Sequence, residues 1–200
     1  MMITYIKVNL YTNQQSRLKA IASVTLNNCF VVHNIKVIER ETGLLIAMPS
    51  IKNTKGVYVD VAHPINKETR EMIETTVKTK FQEMIDTNES KIEAAINTEK
   101  EEELAVTNVK VNLYPNSKTR LKGKISITLN NCFVVHGIKV IDGEKGIFIA
   151  MPSIKNSKGI YVDIAHPINK ETRQKIESSV IEAFQEVNEN QEQVVEKDIF

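Results

Sequence analysis

The chain has 200 residues, 42% of them hydrophobic and 26% charged, the composition of an ordinary globular protein. A net charge of +1, with no apolar run near the ~18 residues of a membrane span, excludes a helical membrane protein and a uniformly basic or acidic chain. Two cysteines, Cys29 and Cys132, make no disulfide framework and point to a reducing, cytoplasmic location, and the opening MMITYIKVNLY lacks the apolar core of a signal peptide.

The charge is unevenly spread. Residues 1–86 hold 11 Lys/Arg against 8 Asp/Glu, and residues 107–187 hold 12 against 7. Between them, residues 87–106 hold 2 against 6, and residues 188–200 hold 1 against 4. Two basic segments thus alternate with an acidic linker and an acidic tail, and basic segments favour polyanionic partners.

The basic segments are copies of each other. Leu26–Arg70 recurs as Leu129–Arg173 at a constant offset of 103, with 36 of 45 positions identical. The match reaches back to Lys7–Tyr11 against Lys110–Tyr114 and forward to Phe81–Glu83 against Phe184–Glu186. Two such copies are too few and too long for a solenoid, whose periods run about 20–50 residues. They read as two domains, residues 1–86 and 107–187, with 87–106 as linker and 188–200 as tail. Near-equal copies also imply an interface that ordinarily joins two identical chains, here made within one.

In chain order, Thr4, Ile6, Val8 and Leu10 alternate with polar residues and predict a first strand. A polar turn follows, then a second strand with Leu18, Ala20, Ala22, Val24 and Leu26 facing a core. The small residues there, and Gly123 in the second copy, predict a close-packed neighbour. Asn27-Asn28 and Asn130-Asn131 suit a tight hairpin because Asn tolerates positive φ. The β-branched run Cys29–Ile38 predicts a central strand. Leu44–Met48 predicts a fourth strand stopped by Pro49, Lys52–Gly56 a loop, and Val57–Val61 a short fifth strand.

Asn66 then caps a helix whose Ile73, Val77, Phe81 and Ile85 recur every four residues, and Ile176, Val180, Phe184 and Val187 recur at steps of four, four and three. The linker is expected to extend this helix or form another, and the tail to be a polar, mobile end. Four or five strands followed by one helix predict an α+β domain, so the chain reads as two tandem copies of a small antiparallel sheet with a C-terminal helix. Exposed edges would be covered by pairing the copies as a pseudo-dimer within one chain, with a higher oligomer as a further option.

Enzyme signatures are missing from this pattern. The sequence has no Gly-rich phosphate loop and no nucleophile elbow, and its few aromatics form no stacking cluster. Cys29 with His33, or Asp60 with His63, lacks the third group that a metal or thiol site needs, so these read as structural residues. No metal, cofactor or catalytic residue is assigned, and no enzymatic activity is expected.

The run VVH-x-I-K-V-I, then G-L-x-x-A-M-P-S, then D-x-x-H-P-I-N resembles the stage V sporulation protein G (SpoVG) family of septation regulators, over Val8–Phe81 and again Val111–Phe184. The resemblance implies a small antiparallel sheet with a C-terminal helix that dimerises by strand pairing. It also implies a non-enzymatic regulator of septation and sporulation that binds DNA, with RNA as a second option. Family members are usually single-domain chains, and their loop after A-M-P-S usually opens with a Lys-Arg pair thought to touch nucleic acid. Here Ile51-Lys52 and Ile154-Lys155 stand in that place, while Lys55 and Lys158 add a charge elsewhere in the loop.

Nucleic-acid contacts are therefore expected from Lys52, Lys55, Lys67 and Arg70, and from their counterparts Lys155, Lys158, Lys170 and Arg173. The first pair of each set lies in the loop and the second at the helix start, where backbone N–H groups also favour anions. Arg17 and Lys19, with Arg120, Lys122 and Lys124, form a second candidate face, which reads equally as charge protection of a strand. The acidic linker and tail could compete for these faces. The alternative is a protein-interaction module in cell-division control that binds nucleic acid weakly or incidentally.

Overall fold

The computed structural model describes residues 1–13, 15–96, 103–115 and 117–197, with side chains as far as residue 191. Copy one comprises β1 (Ile3–Leu10), β2 (Leu18–Leu26), β3 (Phe30–Arg40), β4 (Gly43–Ala47), β5 (Ser50–Lys52), β6 (Tyr58–Asp60), β7 (Ala62–Pro64) and α1 (Lys67–Asp86). A linker strand, β8 (Lys91–Ala95), follows. Copy two comprises β9 (Val106–Leu113), β10 (Leu121–Leu129), β11 (Phe133–Gly143), β12 (Gly146–Ala150), β13 (Ser153–Lys155), β14 (Tyr161–Asp163), β15 (Ala165–Pro167) and α2 (Lys170–Lys197). All strand pairs are antiparallel. The architecture is the tandem α+β repeat that the alternation predicts.

Local sequence explains most elements. Ile6, Val8, Ala20, Ala22, Val24 and Leu26 are all completely buried, so the period-two pattern sets the inner face of β1 and β2. Asn27 and Asn28 take φ of 47° and 53°, and the Cys29 N–H closes the turn on the Leu26 carbonyl at 3.0 Å. Asn130 and Asn131 repeat the geometry at 46° and 53°. A Cβ at Gly123 would stand 3.4 Å from a ring carbon of Phe184, so the helix is the close-packed neighbour. The Asn66 and Asn169 side chains each accept a 2.8 Å bond from the backbone N–H three residues on, capping α1 and α2.

The copies complete each other's sheets. β3 pairs with β4 over residues 36–40 and leaves its first residues open. β15 of copy two fills that gap, pairing Ala165, His166 and Pro167 with Val32, Val31 and Phe30. Reciprocally, Ala62, His63 and Pro64 of β7 pair with Val135, Val134 and Phe133 of β11. β3 and β11 bulge against β2 and β10 close to where each gap begins, at Asn34 (φ 61°) and Gly137 (φ 76°). Buried side chains of both copies form one continuous cluster. The pseudo-dimer is therefore made by strand exchange within the chain.

Three expectations need correction. The linker is not helical in its described part: β8 adds to the outer edge of β1, pairing Tyr5–Asn9 with Ala95–Lys91. Alternation decides this, because Ile92 and Ala94 pack against the core cluster while Lys91 and Glu93 stay outside. The tail is helical as far as Lys197, and residues 198–200 lie outside the described residues. On the helices, Met84 is fully buried whereas Ile85 and Val187 are 45% and 37% exposed. In α1 a strict four-residue step drifts round a 3.6-residue helix, so the inward position after Phe81 is three residues on, at Met84; Val187 already stands three residues after Phe184, and this drift does not explain its exposure.

Candidate nucleic-acid interface

β5 and β6 pair only with each other and form a two-stranded arm beside the main sheet; β13 and β14 form its twin. Asn53 shapes the tip: its side-chain oxygen accepts the backbone N–H groups of Lys55 and Val57 at 2.9 and 3.0 Å. Asn156 does the same for Lys158 and Ile160. The arm thus holds Lys55 and Lys158 on a fixed turn, Lys52 on β5 and Lys155 on β13.

The Lys52 ammonium sits 5.2 Å from the centroid of the Tyr58 ring, and Lys155 stands at the same distance from Tyr161. These rings are 62% and 64% exposed. An exposed tyrosine under a cation is a functional signal that sequence reading missed, because only the hairpin pairing of Lys52 with Tyr58 brings them together.

The helix-start residues behave differently. Lys67 lies 3.5 Å from Glu71, Arg70 3.9 Å from Glu74 and Arg173 3.9 Å from Glu177, all exposed i,i+4 pairs. Lys170 opens α2. The cleft beside the first arm is lined by Lys52, Asn53 and Asp60 from copy one and by Lys124, His136 and Lys139 from copy two.

The exchange also brings two imidazole pairs into tilted contact. His63 and His136 have ring centroids 5.3 Å apart with Nε2 atoms at 3.3 Å, and His33 and His166 have centroids 5.4 Å apart. Ser126 Oγ and Ser23 Oγ lie 2.8 Å from Nδ1 of His136 and His33, and the Nδ1 atoms of His63 and His166 lie 3.1 Å from the carbonyls of Pro64 and Pro167. If His63 Nδ1–H donates to Pro64, its Nε2 accepts from His136, and Ser126 donates to His136. Burial, followed by the facing imidazole, pushes His33 and His136 below the usual histidine pKa. Among the described residues, no group of three or more His, Cys, Asp or Glu side chains is arranged to hold a metal.

Acidic linker residues meet basic ones. Glu93 lies 3.1 Å from Lys7 and 2.9 Å from Lys91, which hold its carboxyl down at about 2. Glu103 and Glu171 both pair with Lys175 and raise its pKa. Such exposed pairs contribute little to stability, but they remove free positive charge from the surface.

The SpoVG family profile matches residues 1–83 and again 104–186. Among curated relatives, a protein of Phytoplasma australiense is 53% identical over 87 residues, covering 44% of this chain and 90% of its own. One from Caldicellulosiruptor bescii is 49% identical over 89 residues, 44% of this chain and 100% of its own. A third, from Bdellovibrio bacteriovorus, is 52% identical over 82 residues, 41% of this chain and 74% of its own. All three carry the name "Putative septation protein SpoVG". No helix among the described residues is long and apolar enough to cross a membrane. With one near-complete copy in each half and strands exchanged between them, this chain belongs to the SpoVG family as a tandem form.

Proposed function

We propose that this chain is a non-enzymatic, cytoplasmic regulator of septation that binds nucleic acid through its two arms. The observation that carries the reading is the exposed Tyr58 beneath Lys52, repeated as Tyr161 beneath Lys155. A tyrosine face stacks on any base and an adjacent ammonium neutralises a phosphate, a sequence-tolerant mode suited to single strands. Lys55 and Lys158 add charge at the arm tips. Lys170 contributes at the start of α2, and Lys67, Arg70 and Arg173 do so once their glutamate partners are displaced. Two arms on one chain raise the effective concentration of the second contact after the first has formed.

Fluorescence anisotropy with a labelled duplex DNA and a labelled single-stranded RNA, each over a salt series, tests this. Saturable binding that weakens steeply with salt is expected. Tyr58→Ala with Tyr161→Ala should weaken RNA binding by at least about tenfold if each ring stacks on one base. Absence of binding at low salt would overturn the reading.

A second reading rests on a separate observation. Ile51, Val57 and Val59 are 42–57% exposed on the first arm, and Ile160 and Val162 are 44–58% exposed on the second. An apolar arm of this kind suits a protein partner. That reading predicts that Lys52→Gln with Lys155→Gln leaves septation control intact.

A further inference from the structure

The two sheets differ on their outer, solvent-facing sides, and the difference is electrostatic. In copy two, Lys124 on β10 pairs directly across from Lys139 on β11. Lys110 on β9 pairs across from Ser126, which bonds to His136. Like charges set directly opposite each other on a sheet oppose pairing. Among the described residues, Lys110, Lys124 and Lys139 have no ion-pair partner, although Asp60 lies at the wall of the same cleft. In copy one the position of Lys124 is taken by Ile21, which faces Lys36, and the counterpart of Lys110 is Lys7, already paired with Glu93. Among the described residues three unpaired lysines therefore collect on the second sheet, beside the arm of the other copy, against Lys36 alone on the first.

We propose that the cleft between the first arm and the outer face of the second sheet is the track for one phosphodiester backbone, held by Lys52, Lys110, Lys124 and Lys139. This rests on the nucleic-acid reading and deepens it: the tandem chain is asymmetric, with one strong groove where a symmetric dimer would have two equal ones. The lysines supply charge without a base-reading fork, so the groove fixes the path of the strand without reading its sequence. A concave cleft with a tyrosine on its arm suits a strand better than a flat anionic lipid surface.

The test is anisotropy with the full chain and a labelled 20-nucleotide RNA over a salt series. Lys124→Ile with Lys139→Gln recreates a copy-one face with one charge fewer. Binding should weaken about tenfold, and the slope of log K on log salt should fall by about 1.4, near 0.7 for each phosphate no longer neutralised. Lys36→Gln, on the other sheet, should change affinity less than about twofold. Ile21→Lys should strengthen binding by adding the missing charge to the second face. Thermal unfolding of each variant at the wild-type midpoint excludes misfolding, and Lys110→Gln, at an exposed edge, serves if the double variant is unstable. Wild-type binding with an unchanged slope in the double variant would overturn the groove and leave the nucleic-acid reading standing. Binding only to phosphatidylglycerol vesicles, or to neither probe, would overturn both.

Discussion

Copy one and copy two share 36 of 45 residues in their central stretch, yet their sheets end differently. β1 has β2 on one side and β8 on the other, whereas β9 has β10 alone and is an edge among the described residues. As a result Ile6 and Val8 are fully buried, while their counterparts Val109 and Val111 are only half-buried. The cause lies where the two helices end. α1 stops at Thr87 and Asn88, and Asn88 takes φ of 55°. Its N–H bonds to Ile85 and the Glu89 N–H bonds to Met84, a left-handed cap that turns the chain back toward β1. Copy two has Asn190 and Gln191 at those positions, and α2 continues to Lys197. Gln, unlike Asn, has no short side chain to stabilise the left-handed conformation locally. One cap thus decides which copy gains an extra strand, and with it which sheet face is neutralised by Glu93.

The largest effects should be equal in the two copies. Phe30 and Phe133 are both completely buried beside the exchanged strands. Phe30→Ala and Phe133→Ala should each cost about 3–5 kcal/mol in urea unfolding. A large difference between them would show that the shared interior is not equivalent. The comparison separates at the edge strands. Ile6→Ala should cost about 2–5 kcal/mol and Val109→Ala less than about 1.5, read from the same unfolding curves.

Asn88→Gln should cost about 1 kcal/mol and speed amide exchange in β1 and β8 while leaving β9 and β10 unchanged. Unaltered exchange in β1 would mean that β8 holds without the cap.

A pH titration tests the two junctions together. His33 and His136 are kept neutral by burial and by the facing His166 and His63; Lys7 and Lys110 act in the same direction, and Asp163 and Asp60 oppose it. The unfolded chain protonates near pH ~6.5, so this stability is present above that value and is lost as pH falls toward the lower native pKa. The urea midpoint should drop on acidification, and His33→Gln with His136→Gln should flatten the drop. The smallest effect is expected of Glu93→Gln, which frees Lys7. Polyanion binding should strengthen less than about threefold, with a steeper salt dependence.

Much of the fold was legible because it is written in short-range pattern. The alternation in β1 and β2, the Asn-Asn turns and the Asn66 cap are each decided by neighbouring residues, and the structure has them where the pattern puts them. β7 and β15 were not legible: three residues containing a His-Pro step show no period, and their partners lie in the other copy. β8 hid in a segment whose acidic composition suggested helix. For the proposed binding surface, sequence picked out Lys52 and Lys155 but missed Tyr58 and Tyr161, which only hairpin register places under those lysines.

The sequence by itself determined that there are two copies, that each is a small antiparallel sheet followed by a helix, and which side chains of β1 and β2 fill the interior. Periodicity and capping are local, and local rules suffice for them. The tertiary structure alone decided that the copies exchange strands, that one sheet is closed and the other open, and that lysines from both copies share a cleft. Those outcomes depend on backbone hydrogen bonds and charges meeting across long stretches of chain, and no window of sequence holds both partners.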